Sequence, residues 1–285
     1  MASDIYSQVN DRILSALEQG IIPWKRPWTG RIPTNYDTGR EYRGVNILAL
    51  EIAEMVRGYS SPYWLTFRQA QKHGGHIRKG EKATYIVFSE KKIKEVTKED
   101  GTKEKRVFHF VRSFPIFNWE QTEGVSKKEA VPALDPDRDL IEVCNSVLSR
   151  MPNPPPYRES GSSAYYVPKE DLVNLTPIET FKSTEGYLTT KFHEYAHSTG
   201  HESRLKRPGI VAVAAFGGED YSFEELVAEL TSAYLCAKNG INNTLENSTG
   251  YIQNWLKVLR DDKTMLMKAS GKAMAAVEYI LANNA

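Results

Sequence analysis

Lys191-Phe192-His193-Glu194-Tyr195-Ala196-His197 is the stretch of this sequence that says most about its fold. Residues four apart lie on the same face of an α-helix, so His193 and His197 can offer their imidazoles to one zinc ion. Glu194 would reach a water molecule at that ion and act as general base. The spacing therefore predicts a zinc-binding helix over residues 181–200. The alternative is a helix with two solvated histidines.

A third ligand is expected from the next predicted helix, residues 223–238. Glu225 and Glu229 are four apart and share a face that borders an apolar stripe, where a carboxylate is costly unless it is neutralised. One of them as a ligand, and the other as hydrogen-bond partner of a ligand histidine, would explain both. Ser222-x-x-Glu225 is also a capping-box pattern, which would leave Glu229 as the ligand. We favour Glu225, by analogy with the Glu-x-x-x-Asp arrangement of the gluzincins, in which the first acid binds metal and the second orients a histidine.

His201 falls at the next four-residue step but follows Gly200, where the helix is expected to stop. We therefore expect His201 to support the site through a hydrogen bond or to cap the helix, rather than to bind the metal directly. Peptide hydrolysis also needs a hydrogen-bond donor for the developing oxyanion. The sequence offers four candidate donors without choosing among them: Tyr165, Tyr166, Tyr187 and Tyr221.

The bulk composition is that of a globular protein. The chain has 285 residues, 40% hydrophobic and 26% charged, with room for two domains. No stretch approaches the roughly 18 consecutive apolar residues of a membrane-spanning helix, so no membrane partner is expected. The N-terminus lacks a basic region followed by an apolar core, and Cys144 and Cys236 lie far apart. We expect a cytoplasmic protein with reduced, buried thiols.

The charge is divided unevenly along the chain. Residues 1–120 hold 20 Lys and Arg against 14 Asp and Glu, a net charge of +6, whereas the remainder carries −5. Opposite charge in the two parts indicates two domains with different partners. The partner of the first domain is expected to be a polyanion.

Residue periodicity predicts an α+β fold. A first helix is capped by Ser3 and stops at Gly20, and further helices are predicted at residues 46–56, 135–150, 249–259 and 263–281. Strands flanking Asp100-Gly101 predict a β-hairpin over residues 82–118, and residues 164–167 a short strand. The predicted organisation is a small α/β N-terminal domain with the hairpin (residues 1–124), a linker (125–134) and a mostly helical metallopeptidase-like domain (135–285).

Basic and aromatic residues alternate through residues 24–82. Cations that follow phosphates and flat rings that stack on unpaired bases are the combination that holds single-stranded nucleic acid. The alternative is that most of these rings form the domain core. The candidate DNA-binding residues are Trp24, Lys25, Arg26, Trp28, Arg43, Trp64, Arg68, Arg78 and Lys79.

These segments resemble a known family. The N-terminal match rests on GIIPWKRPW (residues 20–28), YRGVN (42–46), WLTFRQA (64–70) and GGHIRKGE (74–81). They are similar to the single-stranded-DNA-binding domain of ArdC antirestriction proteins of conjugative plasmids, which is also found at the start of TraC-type plasmid primases. The C-terminal match is HEYAHSTGHESRL (193–205) with EELVAEL (224–230), which resembles the zincin-like peptidase domain of polyvalent mobile-element proteins.

The resemblance implies an accessory protein of a mobile element that protects incoming DNA from host restriction. Its partners would be single-stranded DNA and an unidentified protein substrate, and its cofactor Zn²⁺, for which Mn²⁺ or Ni²⁺ could substitute. An alternative is a DNA-coating protein whose zincin domain is structural or vestigial. A secreted metalloprotease is disfavoured by the missing signal segment and the two cysteines.

Overall fold

The computed structural model describes residues 2–25, 32–97, 102–128, 137–211, 219–242 and 249–282. The helices in these residues are α1 (Ala2–Glu18), α2 (Val45–Arg57), α3 (Phe67–Lys72), α4 (Leu140–Leu148), α5 (Thr184–Ser198), α6 (Pro208–Val211), α7 (Glu219–Lys238), α8 (Thr249–Asp261) and α9 (Met265–Ile280). The strands are β1 (Thr34–Asn35), β2 (Tyr63–Leu65), β3 (His76–Ile77), β4 (Thr84–Thr97), β5 (Lys103–Asn118), β6 (Thr122–Glu123), β7 (Tyr157–Glu159), β8 (Tyr165–Val167) and β9 (Leu172–Leu175). The predicted α+β class is confirmed.

The predicted β-hairpin is the largest feature of the N-terminal part. Strands β4 and β5 pair antiparallel, from Thr84 opposite Ile116 to Thr97 opposite Lys103, and the predicted turn at residues 100–101 lies outside the described residues. The hairpin base is buried at Val87 and Ile116, whereas Ile93 further out is 62% exposed. Strands β2 and β1 extend this sheet in the order β1-β2-β5-β4, with β1 parallel to β2. The hairpin therefore starts in the core and projects into solvent.

Several short elements escaped prediction because they are too short to show a period. They include the strands of two residues (β1, β3 and β6) and helix α3, although Thr66 and Gln69 form a capping box that marks the start of α3. Helix α4 was predicted to begin at residue 135, but it begins after Asp139, whose carboxylate accepts hydrogen bonds from the Ile141 and Glu142 amides. In the second half, only β8 of the sheet β7-β9-β8 was anticipated.

The C-terminal part is built around helix α7, which is buried along most of its length from Leu226 to Ala237. Helices α5 and α9 pack against α7. Helix α5 is shorter than predicted, because the Ser183 hydroxyl accepts a hydrogen bond from the Gly186 amide at one end and Thr199 caps the other. Two adjacent helices, α5 and α7, thus provide the scaffold for the predicted metal ligands.

The two predicted domains are packed together in the described residues. Val9, Ile13 and Leu17 of α1 belong to the same apolar core as Leu226 of α7 and Leu259 of α8. The Asn10 amide also donates to the Leu259 carbonyl oxygen at 2.9 Å. The boundary at residues 125–134 remains a prediction, and residues 129–136 lie outside the described part. Whatever its position, the two sides share one core.

The expectations for thiols and membranes can be compared with the described residues. Cys144 and Cys236 are buried, and both thiols are free. Among the helices that the structure describes, none is long and apolar enough to cross a membrane.

A buried carboxyl group in the N-terminal part makes stability depend on pH. Glu54 on α2 accepts a hydrogen bond from the Trp64 indole at 2.7 Å. Burial, together with the charges of Glu51 and Glu120, raises the pKa of Glu54 to about 8. The folded protein therefore holds this proton at pH values where the unfolded chain has released it, so its contribution to stability is lost as pH rises from about 5 to 8.

We predict that Glu54→Gln removes this loss, because the amide oxygen can still accept the Trp64 hydrogen bond and carries no charge. Between pH 5 and 8.5, the melting temperature of Glu54→Gln should rise relative to wild type by about 2–6 °C, or roughly 1–2 kcal/mol. Thermal melts across pH measure this difference, with Glu202→Gln at an exposed position as control. Parallel curves for wild type and Glu54→Gln would contradict the assignment.

Candidate metal centre

Helices α5 and α7 bring three predicted ligands together. His193 and His197 lie one turn apart on α5, with their Nε2 atoms 3.1 Å from each other. Glu225 of α7 faces both rings, with carboxylate oxygens 3.5 Å from His193 Nε2 and 3.5 Å from His197 Nε2. One donor atom from each residue lies within 4.8 Å of the other two. Three donors therefore converge on one point.

The capping-box alternative for Glu225 does not agree with the structure. Helix α7 already includes Glu219, so Ser222 lies within the helix and cannot be its N-cap. Glu225 is consequently available to the two histidines. This arrangement follows the interpretation in which Glu225, and not Glu229, is the third donor.

The electrostatics of the three side chains are coupled. Burial acts to lower the pKa of His193, but the Glu225 carboxylate and the charges of Glu194 and Glu229 raise it to about 9. Burial acts to raise the pKa of Glu225, but His193, His197 and the Tyr221 hydroxyl lower it to about 2. The Glu225 carboxylate thus stabilises the protonated form of the His193 ring, and the ring stabilises the ionised carboxylate. Two imidazoles and one carboxylate are also donors that suit a divalent transition metal, so the residues present fit such an ion.

A buried ion pair, Arg207 with Glu224, contacts the ring nitrogen of His197 that does not face the donor cluster. This nitrogen, Nδ1, lies 3.4 Å from the Glu224 carboxylate, which also accepts hydrogen bonds from Arg207 Nε at 2.8 Å and Nη2 at 2.5 Å. Although burial opposes it, the Arg207 hydrogen bonds hold the pKa of Glu224 below its ordinary value. Arg207 also donates to the Thr199 hydroxyl at 2.6 Å. Fixing the far nitrogen of a ligand histidine in this way orients its ring.

Sequence reasoning assigned this orienting role to Glu229 and missed Glu224 and Arg207. The available signal was the Glu224-Glu225 pair at the edge of an apolar stripe, where a second carboxylate also needed a partner. Glu229 is instead hydrogen-bonded through Oε2 to the Trp24 indole N–H at 2.7 Å. The sequence contains no signal for a contact between residues so far apart.

The donors open into a cavity of about 460 Å³. Glu194 lines this cavity beside the histidines and is only 7% exposed. Three of the candidate oxyanion donors, Tyr165, Tyr166 and Tyr221, also line it. The fourth candidate, Tyr187, donates to Glu159 at 2.6 Å and is not among the lining residues.

The three cavity tyrosines differ in what their hydroxyls already do. Tyr166 donates to Asp171 at 2.7 Å. Burial and the nearby Glu225 carboxylate raise the pKa of Tyr221 to about 12, and Tyr221 hydrogen-bonds to that carboxylate. The Tyr165 hydroxyl accepts a hydrogen bond from Arg158 at 3.3 Å. All three hydroxyls line the cavity and can act as hydrogen-bond donors.

His201 lies outside the donor cluster. Helix α5 ends at Ser198, and the His201 ring bonds through Nδ1 to the Ser203 hydroxyl at 2.8 Å. Helix α5 therefore stops before His201, as predicted. His201 is consequently not carried to the donor cluster by a further turn of the helix.

Those predicted DNA-binding residues that the structure describes do not all lie at the surface. Trp24 and Trp64 are fully buried, so neither has a ring face available for a base, and this corrects their assignment as stacking residues. Arg43 forms an ion pair with Glu278 of α9. Arg68, Arg78 and Lys79 are exposed. Arg26, Trp28 and the side chain of Lys25 lie outside the described part of the chain.

A different pair of rings borders a cavity of about 390 Å³ in the N-terminal part. This cavity, the Tyr63–Trp119 pocket, is lined by Ser60, Ser61, Pro62, Tyr63, Trp119, Glu120, Lys127 and Lys128. The Lys128 ammonium lies 5.4 Å from the centre of the Tyr63 ring. The Trp119 indole donates to the Ser126 carbonyl oxygen at 3.1 Å, which holds the segment bearing both lysines against the pocket.

Two family models together match most of the chain. Residues 3–117 match the N-terminal domain of anti-restriction factor ArdC. Residues 156–272 match a zincin-like metallopeptidase.

Individual relatives extend this similarity over the whole chain. An uncharacterized protein of Sinorhizobium fredii, y4eC, is 31% identical over 292 residues, covering 98% of this chain and 92% of that protein. A DNA primase TraC of Escherichia coli is 30% identical over 300 residues, covering 97% of this chain but only 27% of the primase. The chain thus corresponds to about a quarter of that primase.

Solved structures show the same extent of similarity. The metal-free crystal structure of an antirestriction ArdC protein from the R388 plasmid matches with a TM-score of 0.78 and 33% identity, covering 99% of both chains. Its Mn(II)-bound structure matches with a TM-score of 0.75 and 33% identity, covering 98% of this chain and 97% of that one. With both family models present and the R388 ArdC protein matched over 99% of its length at 33% identity, this chain belongs to the ArdC antirestriction family.

Proposed function

We propose that this chain binds single-stranded DNA and carries a zinc-dependent peptidase site, as an antirestriction accessory protein of a conjugative plasmid or similar mobile element. The observation that carries the enzymatic part is the convergence of His193, His197 and Glu225 in the same cavity as the buried Glu194 carboxylate. A set of three donors beside a general base is the minimum arrangement for metal-assisted hydrolysis.

The proposed reaction is hydrolysis of a peptide bond in a protein substrate. A divalent ion on the three donors would polarise the carbonyl and make a water molecule more acidic. Glu194 takes a proton from the water as the water oxygen bonds to the carbonyl carbon. Glu194 then returns a proton to the nitrogen as the carbon–nitrogen bond breaks. A lining tyrosine hydroxyl stabilises the oxyanion.

Zinc is the proposed ion, because neutral imidazoles and a carboxylate are its usual ligands. Mn²⁺ and Ni²⁺ are proposed as substitutes, since these donors bind them as well. The Mn(II)-bound structure of the R388 relative supports a divalent ion.

The Tyr63–Trp119 pocket supports the DNA-binding part of the proposal. Two aromatic walls could receive an unpaired base, while the Lys127 and Lys128 ammonium groups suit its phosphates. The lining carboxylate, Glu120, is already occupied by hydrogen bonds from the Ser60 and Ser61 amides. Two lysines against one carboxylate give the pocket lining a net positive charge, which favours an anionic strand.

Exposed cations of the predicted set lie around the same part of the fold. Helix α3, which carries Arg68, and strand β3, which precedes Arg78 and Lys79, contact each other. Ala70 of α3 and Ile77 of β3 pack in one small cluster with Tyr63 and Trp119. These arginines and Lys79 could therefore extend a phosphate path from the pocket.

Zinc content and zinc affinity test the proposed ligands His193, His197 and Glu225. Purified protein reconstituted with zinc should contain about one equivalent by elemental analysis. Glu225→Gln should lower zinc affinity more than Glu229→Gln, because only Glu225 is a proposed ligand. The reverse ranking, or less than about a tenth of an equivalent in the wild type, would contradict the ligand set.

The peptidase prediction concerns Glu194. Glu194→Ala should lower the hydrolytic rate by about 10²–10⁴-fold, because the general base is lost, while zinc content and single-stranded-DNA affinity stay at wild-type values. Protection of transferred DNA from restriction should fall with the hydrolytic rate. Full protection by Glu194→Ala would instead support the DNA-coating alternative, in which the zincin-like domain has no catalytic role.

The DNA prediction is tested on the full chain, because α1 packs against α8 and the N-terminal part alone would expose its core. Oligo(dT) should bind better than a duplex of equal length and should quench tryptophan fluorescence. Among the tryptophans that the structure describes, Trp119 is the one expected to respond, because Trp24, Trp64 and Trp255 are buried. Lys127→Glu should weaken oligo(dT) binding by about tenfold at low salt.

Lys272→Glu, on the exposed face of α9, is the matched control for charge. Its affinity for oligo(dT) should equal that of the wild type. An equal loss in both variants would mean that only net charge matters and that the pocket is not used. Equal affinity for duplex and single strand, without fluorescence quenching, would contradict the stacking mode.

A further inference from the structure

A tryptophan from the N-terminal part reaches the helix that carries the metal donors. Trp24 lies in a single helical turn, Pro23–Lys25, and is 0% exposed. Its indole N–H donates to Glu229 Oε2 of α7 at 2.7 Å. The ring is also held edge-to-face against Trp255 of α8, with centroids 5.9 Å apart. Its position is thus determined by groups from two C-terminal helices.

Glu229 is a buried carboxylate on the helix that carries the proposed ligand Glu225. It follows Glu225 by one helical turn on α7, so the two carboxylates share a face. Glu229 is 7% exposed. A buried carboxylate must be hydrogen-bonded and held in place, and the group that holds Glu229 also restrains the helical turn that carries Glu225.

We propose that Trp24 is a positioning residue for the metal site. Its indole N–H fixes the Glu229 carboxylate one helical turn beyond Glu225 on the same face of α7, and so holds the turn of α7 that carries this ligand in place. This inference rests on the proposed metal site and adds a component from outside the zincin-like region. All three ligands come from the C-terminal part, yet the surrounding site is complete only when the N-terminal part is docked.

The chain offers two matched controls. Trp64 donates to Glu54 at 2.7 Å, so it makes the same kind of indole–carboxylate hydrogen bond in the N-terminal part, with no contact to α7 among those described. Trp255 packs against Trp24 and is 2% exposed, so its replacement disturbs the same junction without removing the donor to Glu229. A purely structural role for Trp24 predicts that all three Trp→Phe substitutions behave alike.

The experiment measures the zinc dissociation constant of the full chain by competition with a chromophoric chelator at fixed pH. Trp24→Phe should raise this constant by about tenfold or more, whereas Trp64→Phe and Trp255→Phe should stay within about twofold of wild type. Melting temperatures of the metal-free variants, measured in parallel, report the general cost of losing an indole. Glu229→Leu, which removes the acceptor of the indole hydrogen bond, should raise the dissociation constant as Trp24→Phe does.

Each outcome decides the proposal. A Trp24→Phe affinity like that of the wild type, or equal losses in all three Phe variants, would overturn it while leaving the metal site intact. If Trp24→Phe does not fold, Glu229→Leu decides, because this variant removes the acceptor of the indole hydrogen bond, and wild-type zinc affinity in it would overturn the proposal. A wild-type chain that binds no zinc would overturn the proposed metal site itself, and this inference with it.

Discussion

Three carboxylates on helix α7, two of them buried and one half-buried, are the constraint on which the rest of this structure depends. Glu224, Glu225 and Glu229 occur within six residues of a helix that is otherwise packed in the core. An ionised carboxylate in such a place costs several kcal/mol unless it is paired and hydrogen-bonded. Each of the three therefore requires a partner from another element, and supplying those partners determines which elements surround α7.

The partners come from three different parts of the chain. Arg207, after α5, neutralises Glu224; the two histidines of α5 face Glu225; and Trp24 donates to Glu229. The same contacts that stabilise buried charge also orient the candidate metal donors. Stability and site geometry consequently depend on the same groups, and removing one partner is expected to affect both.

This dependence also explains why the two family regions share a core. A separate N-terminal domain would leave Glu229 without its indole donor and would expose the apolar face of α1 that packs with α8. Trp24 therefore has a structural reason to be buried, and the same holds for Trp64, which satisfies Glu54. The rings that we propose for base stacking are others, Tyr63 and Trp119, which line a pocket with Lys127.

The sequence by itself determined the elements whose signal is local. The spacing of His193 and His197, the helical period around them and the alternating hairpin strands all depend on neighbours a few residues away, so helix α5, helix α7 and the hairpin were predictable. Glu225 was predicted as the third donor from its apolar surroundings and by analogy with the gluzincins. Only the tertiary structure decided which carboxylate faces which group, since the Trp24–Glu229 and Arg207–Glu224 contacts join residues far apart in the chain. It also decided which tryptophans are core, because composition records an aromatic ring without recording which side of it is covered.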